Sequence, residues 1–319
     1  LVLGLPLHDG VDPCAGRHGV SGESDRGALG RASALAQKAS CARASRIVQE
    51  LFIACDDLEP VAFESNGLEI VVFSTPAAAD GAPNEDAAGI WAPSDTRLIV
   101  AVADGMGGGP GGGEAAAEAI RALDRSLAKS ASGGSARAEI VDAFERANHS
   151  VLAQGVGAGT TLVVVQIDGE GVRSFHAGDS GALLVGQRGR VRMETLHHSP
   201  TGYAIASGLL DREESHTHHD RHFLSNCIGS ADMRIDIGPR VPMAPRDTLL
   251  LASDGVLDNV RHESVIECIR KGPLLAGARA LCSQARAAMR GEQPDLPAHP
   301  DDATAILVRR RARRSEQGA

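Results

Sequence analysis

Leu98–Ala103 is an unbroken apolar run, short and partly β-branched, and it predicts a buried strand. The run stops at Asp104-Gly105, and a glycine-dense loop extends to Gly113. From Glu114 the residues turn to Ala, Leu, Glu and Arg, which are strong helix formers. Helices are expected over about 114–129 and 136–153, with SASGGS (130–135) as the turn between them. The second carries Ile140, Phe144, Ala147 and Val151 at helical spacing. From Gly159 the period becomes that of strands, and 159–168 and 171–187 read as consecutive antiparallel strands joined by tight glycine turns. The second is broken at His176–Gly181, where an aspartate bracketed by glycines suggests a bend or bulge. Thr248–Ala252 repeats the opening pattern and runs into Ser253-Asp254-Gly255. Helices over about 263–270 and 274–290 follow, and Asp301-Asp302 opens a last strand.

Before this region the pattern is weaker. Gly67–Thr75 predicts the first strand of the main domain, and RIVQELFIA, within 46–63, a short helix. Residues 1–45 carry no sustained period and read as a poorly ordered extension or linker. The expected organisation is therefore an N-terminal extension over 1–66, one domain over 67–312 and a basic tail over 313–319.

Composition narrows the function classes. Aromatics make up only 3% of the 319 residues, so the core must be built from Leu, Val, Ile and Ala. A net charge of −9 argues against nucleic acid or an anionic membrane as the main partner. The six cysteines form no C-x-x-C pair, which favours reduced thiols and a cytoplasmic setting. No apolar run is long enough to span a bilayer. LVLGLPLHDG lacks a charged leader and is broken by Gly4 and Pro6, so it reads poorly as a secretory signal. The chain also lacks an initiator methionine, which reads as a fragment or a processed form.

Three strands thus have aspartate at one end, at Asp104-Gly105, Asp254-Gly255 and Asp301-Asp302. Asn84-Glu85-Asp86 and Asp179 add two more acidic points. Gathered in one cleft these carboxylates would repel one another and require cations. Oxygen-only ligands select Mg²⁺ or Mn²⁺ over zinc, and two such ions can activate a bridging water and clamp an in-line displacement at phosphorus. Aspartates capping separate turns would give the same spacing. Other chemistries find less support. No cysteine lies in an arginine-bracketed phosphate loop, and no G-x-x-x-x-G-K-[ST] is present. His216, His218, His219 and His222, with His197 and His198 upstream, have neither a cysteine partner nor fixed ligand spacing, so solvent-facing residues are the better reading than a zinc site.

The ordered set NEDA, VADGMGG, GTTL, AGDSG, LLLASDGVLDNV and DDATAILV closely resembles the metal-dependent protein phosphatase family, of the protein phosphatase 2C type and its bacterial branch. The resemblance covers about 67–310. It implies an α+β fold, a four-layer αββα sandwich in which two antiparallel sheets pack face to face and are flanked by helices. It also implies hydrolysis of phosphoserine and phosphothreonine by water activated at two Mn²⁺ or Mg²⁺ ions, with room for a third. By matching motif, Asp104 would bridge the two ions and Gly105 would bind one through its carbonyl. Asp254 and Asp301 would complete the set, so that Asp104, Asp254 and Asp301 act in catalysis through the water the ions hold. Asp86 would act largely through bound water, and Asp179, with Asp254, matches a weaker third-metal site. Asp302 stands where the family often has Asn and is assigned to support behind the ligands. The segment 196–236 resembles the flap beside the cleft. The implied partner is a phosphorylated protein, a bacterial kinase's target.

Three departures stand out. DGAPNED carries no arginine ahead of the acidic triplet, where many relatives hold the substrate phosphate. Gly181 follows the GDS motif where Arg is frequent, and position 106 is Met. The phosphate-holding group is left unassigned. The contrasting reading is a non-catalytic phosphatase-like regulator that binds phosphoproteins, against which the intact aspartates argue. Substrate and oligomeric state are not legible.

Overall fold

Leu98, Val100 and Val102 point to one side of their strand and Ile99, Ala101 and Ala103 to the other, and both sets are fully buried. The same double burial recurs along the chain and defines the layers. The computed structural model describes residues 45–46, 48–55, 57–77, 83–106, 111–128, 135–293 and 297–311. Among them the chain forms β1 (Ser45–Arg46), β2 (Gln49–Ile53), β3 (Leu58–Ser65), β4 (Leu68–Thr75), β5 (Ala87–Ser94), β6 (Arg97–Ala103) and β7 (Gly105–Met106). Two long helices follow, α1 (Gly111–Ala128) and α2 (Ala136–Gln154). After them come β8 (Gly159–Thr160), β9 (Leu162–Asp168), β10 (Gly171–Ala177), β11 (Gly181–Val185) and β12 (Val191–Glu194). The irregular region holds α3 (Pro200–Ala206), α4 (Arg212–Ser215) and β13 (Asp236–Ile237). The chain closes with β14 (Thr248–Ala252), α5 (Asp254–Leu257), α6 (His262–Ile269), α7 (Leu274–Met289) and β15 (Ala303–Arg310).

One sheet runs β1-β3-β4-β15-β14-β11-β12 and the other β13-β10-β9-β6-β5-β2. Pairing is antiparallel apart from β1 with β3. Between the sheets lies a core that includes Ile70, Val72, Ile90, Val100, Val165, Leu249, Leu251 and Ile306. The helices α1 and α2 cover the outer face of the second sheet through Ile120, Leu123, Ile140 and Phe144. The helices α6 and α7 cover the first through Val265, Ile269, Leu274 and Leu281. Helices therefore flank both sheets, giving the four layers. Strands roofed on both faces need apolar residues at every position, which is why β6 and β14 read as unbroken runs rather than alternations.

The N-terminal expectations need correction. Residues 49–53 form β2, not a helix, because Phe52 enters the layer between the sheets while Leu51 and Ile53 pack towards α1 and α2. That division requires a period of two. The boundary expected at 66/67 falls inside a hairpin. Ser65 pairs with Leu68, and Asn66 and Gly67 both take positive φ in the two-residue turn. Strands β2 and β3 thus belong to the sandwich, and β4 is not its first strand. The strand expected over 171–187 is two, since β10 and β11 lie in different sheets and Gly178–Ser180 crosses between them. The extension before residue 45, most of the SASGGS turn and the 313–319 tail lie outside the described residues.

Candidate metal centre

Antiparallel pairing puts the C-terminal end of one strand beside the N-terminal end of its neighbour, and this register collects the acidic residues. In one sheet Ala87 pairs with Ala103, so Asp86 and Asp104 sit side by side just beyond the ladder. In the other, Ala252 pairs with both Gly181 and Ala305, and Ala303 pairs with Thr75. Asp254, Asp179, Asp301 and Asp302 are all within two residues of those strand ends. Both sheets present these ends at the same edge of the sandwich, where Gly178–Ser180 joins them.

A network of buried hydroxyls holds the backbone there. The Asp104 N–H donates to Thr161 Oγ1 at 3.1 Å, while Thr161 N–H and Thr160 Oγ1 donate to the Asp104 carbonyl at 2.9 and 2.8 Å. Thr161 Oγ1 also shares a 2.6 Å hydrogen bond with Ser180 Oγ, which ties the Asp104 turn to the Asp179 turn. Ser253 Oγ donates to Asp86 Oδ2 at 2.9 Å and links the two sheets. Asn84 accepts from the Asp86 N–H through Oδ1 and donates to the Cys55 carbonyl and Ser74 Oγ, each at 2.9 Å. The Asp302 carboxylate accepts from the N–H groups of Ala77 and Glu85 at 2.8 and 2.6 Å. Two glycines are required by close approach. A Cβ on Gly105 would strike the Gly112 backbone, and one on Gly255 would strike the Asp302 carbonyl. Gly178 takes φ +116° where the chain crosses between sheets, a conformation L side chains rarely adopt.

Burial and mutual repulsion dominate the electrostatics. Asp104 is pushed well above the carboxylate range by loss of solvent and then by Asp254, Asp86, Asp301 and Asp179. Asp86 is raised by burial and by Asp302 and Asp301, and Asp179 by burial, Asp254 and Asp258. Burial first and neighbouring acids second raise Asp254 to about 6 and Asp301 to about 7. Asp86 Oδ1 and Asp254 Oδ1 are buried without a hydrogen-bond partner. Such oxygens are costly to bury unless something positive faces them. An all-oxygen set of this kind fits hard divalent cations.

The structure thus brings together Asp86, Asp104, Asp179, Asp254 and Asp301, with Gly105 next to Asp104, and places Asp302 behind them as a backbone clamp. Two residues of the cluster escaped the sequence reading. Asp258 is raised to about 6 by burial, with Arg221 opposing, and lies one turn after Asp254, whose carbonyl accepts its N–H at 2.7 Å. The i, i+4 spacing of Asp254 and Asp258 at a helix start was the available signal. Arg221, whose side chain is 8% exposed, faces Asp258 Oδ2 at 3.6 Å. No local pattern marked it.

A second cluster is different in kind. His176, His198 and Asp236 hold their candidate ligand atoms within 4.8 Å of one another. Hydrogen bonds fix the His198 tautomer, because Gly178 N–H and Asn226 Nδ2 both donate to Nδ1. The ring proton is then on Nε2, 3.0 Å from Asp236 Oδ2. A cation there would have to displace that proton, and the hydrogen bonds the two histidines do make, Gly178 N–H to His198 Nδ1 and His176 Nε2 with the Leu196 carbonyl, tie the flap to the Gly178 turn. His218, His219 and Asp220 form another small group, in which His219 is 82% exposed.

A profile described as protein phosphatase 2C matches residues 75–276. The serine/threonine protein phosphatase PstP of Mycobacterium tuberculosis is 29% identical over 204 residues, 62% of this chain and 38% of that protein. The chain therefore spans well under half the length of that relative. The serine/threonine phosphatase stp of Listeria welshimeri is 30% identical over 199 residues, 59% of this chain and 77% of that protein. Among solved structures, the M. tuberculosis phosphatase PstP/Ppp superposes with a TM-score of 0.63 at 25% identity, covering 77% of this chain and 99% of the other. The PstP catalytic domain solved in complex with two manganese ions gives 0.61 at 25% identity, covering 76% and 97%.

Proposed function

Because this chain belongs to the protein phosphatase 2C family, we propose that it is a metal-dependent serine/threonine protein phosphatase that hydrolyses phosphoserine and phosphothreonine. The observation that carries this reading is the meeting of Asp86, Asp104, Asp254 and Asp301 at one edge of the sandwich, with buried, orphaned oxygens on Asp86 and Asp254. Asp104, Asp254, Asp301 and Asp86, with the Gly105 carbonyl, hold two divalent ions, and Asp179 with Asp254 and Asp258 offers a third site. When bound, the ions supply an activated water nucleophile and neutralise charge on the phosphoryl oxygens. The chain's own part is to hold six carboxylates together against their repulsion and to fix the backbone around them through Thr160, Thr161, Ser253 and Asp302. Manganese is favoured by the two ions in the PstP structure, and magnesium suits the same oxygen ligands. The substrate class is a phosphorylated protein, the target of a bacterial serine/threonine kinase, in the cytoplasm. No described helix is long and apolar enough to cross a membrane.

The test is hydrolysis of a phosphothreonine peptide by the full chain with saturating Mn²⁺, with EDTA, and with Asp254→Asn. Manganese-dependent turnover that EDTA and the substitution abolish supports the reading. Peptide binding without turnover at saturating Mn²⁺ would replace it with a non-catalytic regulator.

A further inference from the structure

Arg221 lies in the flap, and its Nη1 is buried beside the acidic cluster without a hydrogen-bond partner. Its carboxylate contact, Asp258 Oδ2 at 3.6 Å, is an ion pair too long to be a hydrogen bond. Nε donates to His222 Nε2 at 3.2 Å, but Nη1 is buried with no acceptor. The side chain keeps 8% of its exposure, so water does not make up the deficit. A buried, unsatisfied donor on a charged group costs more than an ordinary lost hydrogen bond and calls for an explanation. The charge of Arg221 is felt at Asp254, Asp258 and Asp301, which places it at the cluster and not elsewhere on the flap. Neighbouring arginines are engaged: Arg212 donates through two nitrogens to Glu194, and Arg234 to the Tyr203 hydroxyl.

We propose that Arg221 receives the phosphoryl group of the substrate, filling the role left unassigned because the residues before Asn84 carry no arginine. The inference rests on the phosphatase reading above. A guanidinium presents paired donors that match phosphate oxygens, where a lysine offers only a point charge. Divalent ions on Asp254 and Asp301 would neutralise the carboxylates that now attract it, leaving its unpaired edge to an oxyanion. Its place on the flap also makes phosphate capture depend on flap position. The alternative is that Arg221 is only the counter-ion of Asp258.

Arg221→Gln and Arg221→Lys in the full chain separate these. Three quantities are measured with Mn²⁺: KM and kcat for a phosphothreonine peptide, binding of inorganic phosphate by calorimetry, and manganese affinity by calorimetry on the metal-free protein. The expected result for Arg221→Gln is a rise in KM and weaker phosphate binding, each by about tenfold or more, with manganese affinity unchanged or tighter. Lysine should recover part of the phosphate binding. The manganese titration also reports whether each variant is folded. Phosphate binding and KM within about twofold of the parent overturn the proposal, and so does a fall in manganese affinity that accounts for the whole loss. If the parent itself shows no turnover, the hydrolytic reading fails. Phosphate binding lost on Arg221→Gln would still locate the anion site at Arg221.

Discussion

The Asp302 carboxylate accepts the backbone N–H of Glu85 at 2.6 Å, joining residues 217 positions apart. The other oxygen accepts from Ala77 at 2.8 Å, so one side chain clamps both ends of the segment that precedes β5. The clamp ties the backbone next to Asp86 to the residue next to Asp301.

Removing the clamp should cost both stability and activity. Asp302→Ala leaves two backbone donors unmatched and is expected to lower unfolding free energy by about 1–3 kcal/mol. Manganese-dependent hydrolysis should fall by about 10- to 100-fold, as for other supports of metal ligands. Asp302→Asn, which keeps one carbonyl acceptor, should lie between. Urea denaturation and phosphopeptide kinetics check both; equal values for Ala and Asn would show that the hydrogen bonds are not what matters.

The acidic residues oppose folding in the absence of metal. Asp104→Asn relieves one of six mutually repelling carboxylates and should raise the melting temperature of the EDTA-treated protein, while cutting manganese-dependent activity by more than about 100-fold. Differential scanning calorimetry beside the kinetic assay tests the pair of effects. A lower melting temperature without metal would contradict the electrostatic account.

The pH dependence follows with a definite sign. Asp254 and Asp258 are raised to about 6 and Asp301 to about 7. Over about pH 4 to 7 the folded protein therefore holds protons that the unfolded chain has released. Stability of the metal-free protein accordingly declines as pH rises through that window. Manganese binds the ionised carboxylates, so the gap between loaded and EDTA-treated melting temperatures should widen from about pH 5 to pH 8. A gap that narrows over that range counts against the site.

Gly255 tests the packing of the two sheet ends. An alanine Cβ would collide with the Asp302 carbonyl, and backbone there has no flexible side chain to yield. Gly255→Ala should destabilise by about 1–3 kcal/mol and weaken manganese binding, because Asp254 and Asp302 lie on either side of the contact. Urea denaturation and calorimetric manganese titration measure the two effects. Normal metal affinity in a destabilised variant would mean that the strain is absorbed away from the site.

Much of the architecture was written locally. The runs at Leu98–Ala103 and Thr248–Ala252, the helical faces of α2 and α7, and the aspartates where strands stop are all patterns of neighbouring residues. Short-range sterics and hydrophobic period suffice to specify them. The tertiary structure decided what depends on partners remote in sequence. It made 49–53 a strand, because two apolar layers lie on opposite sides of it. It split 171–187 between two sheets at Gly178. It brought Asp258 to the acidic edge together with Arg221, which stands in no strand-end motif. The convergence itself belongs to this second group, since the register of Ala87 with Ala103 and of Ala252 with Ala305 is a property of paired hydrogen-bond ladders, not of either strand alone.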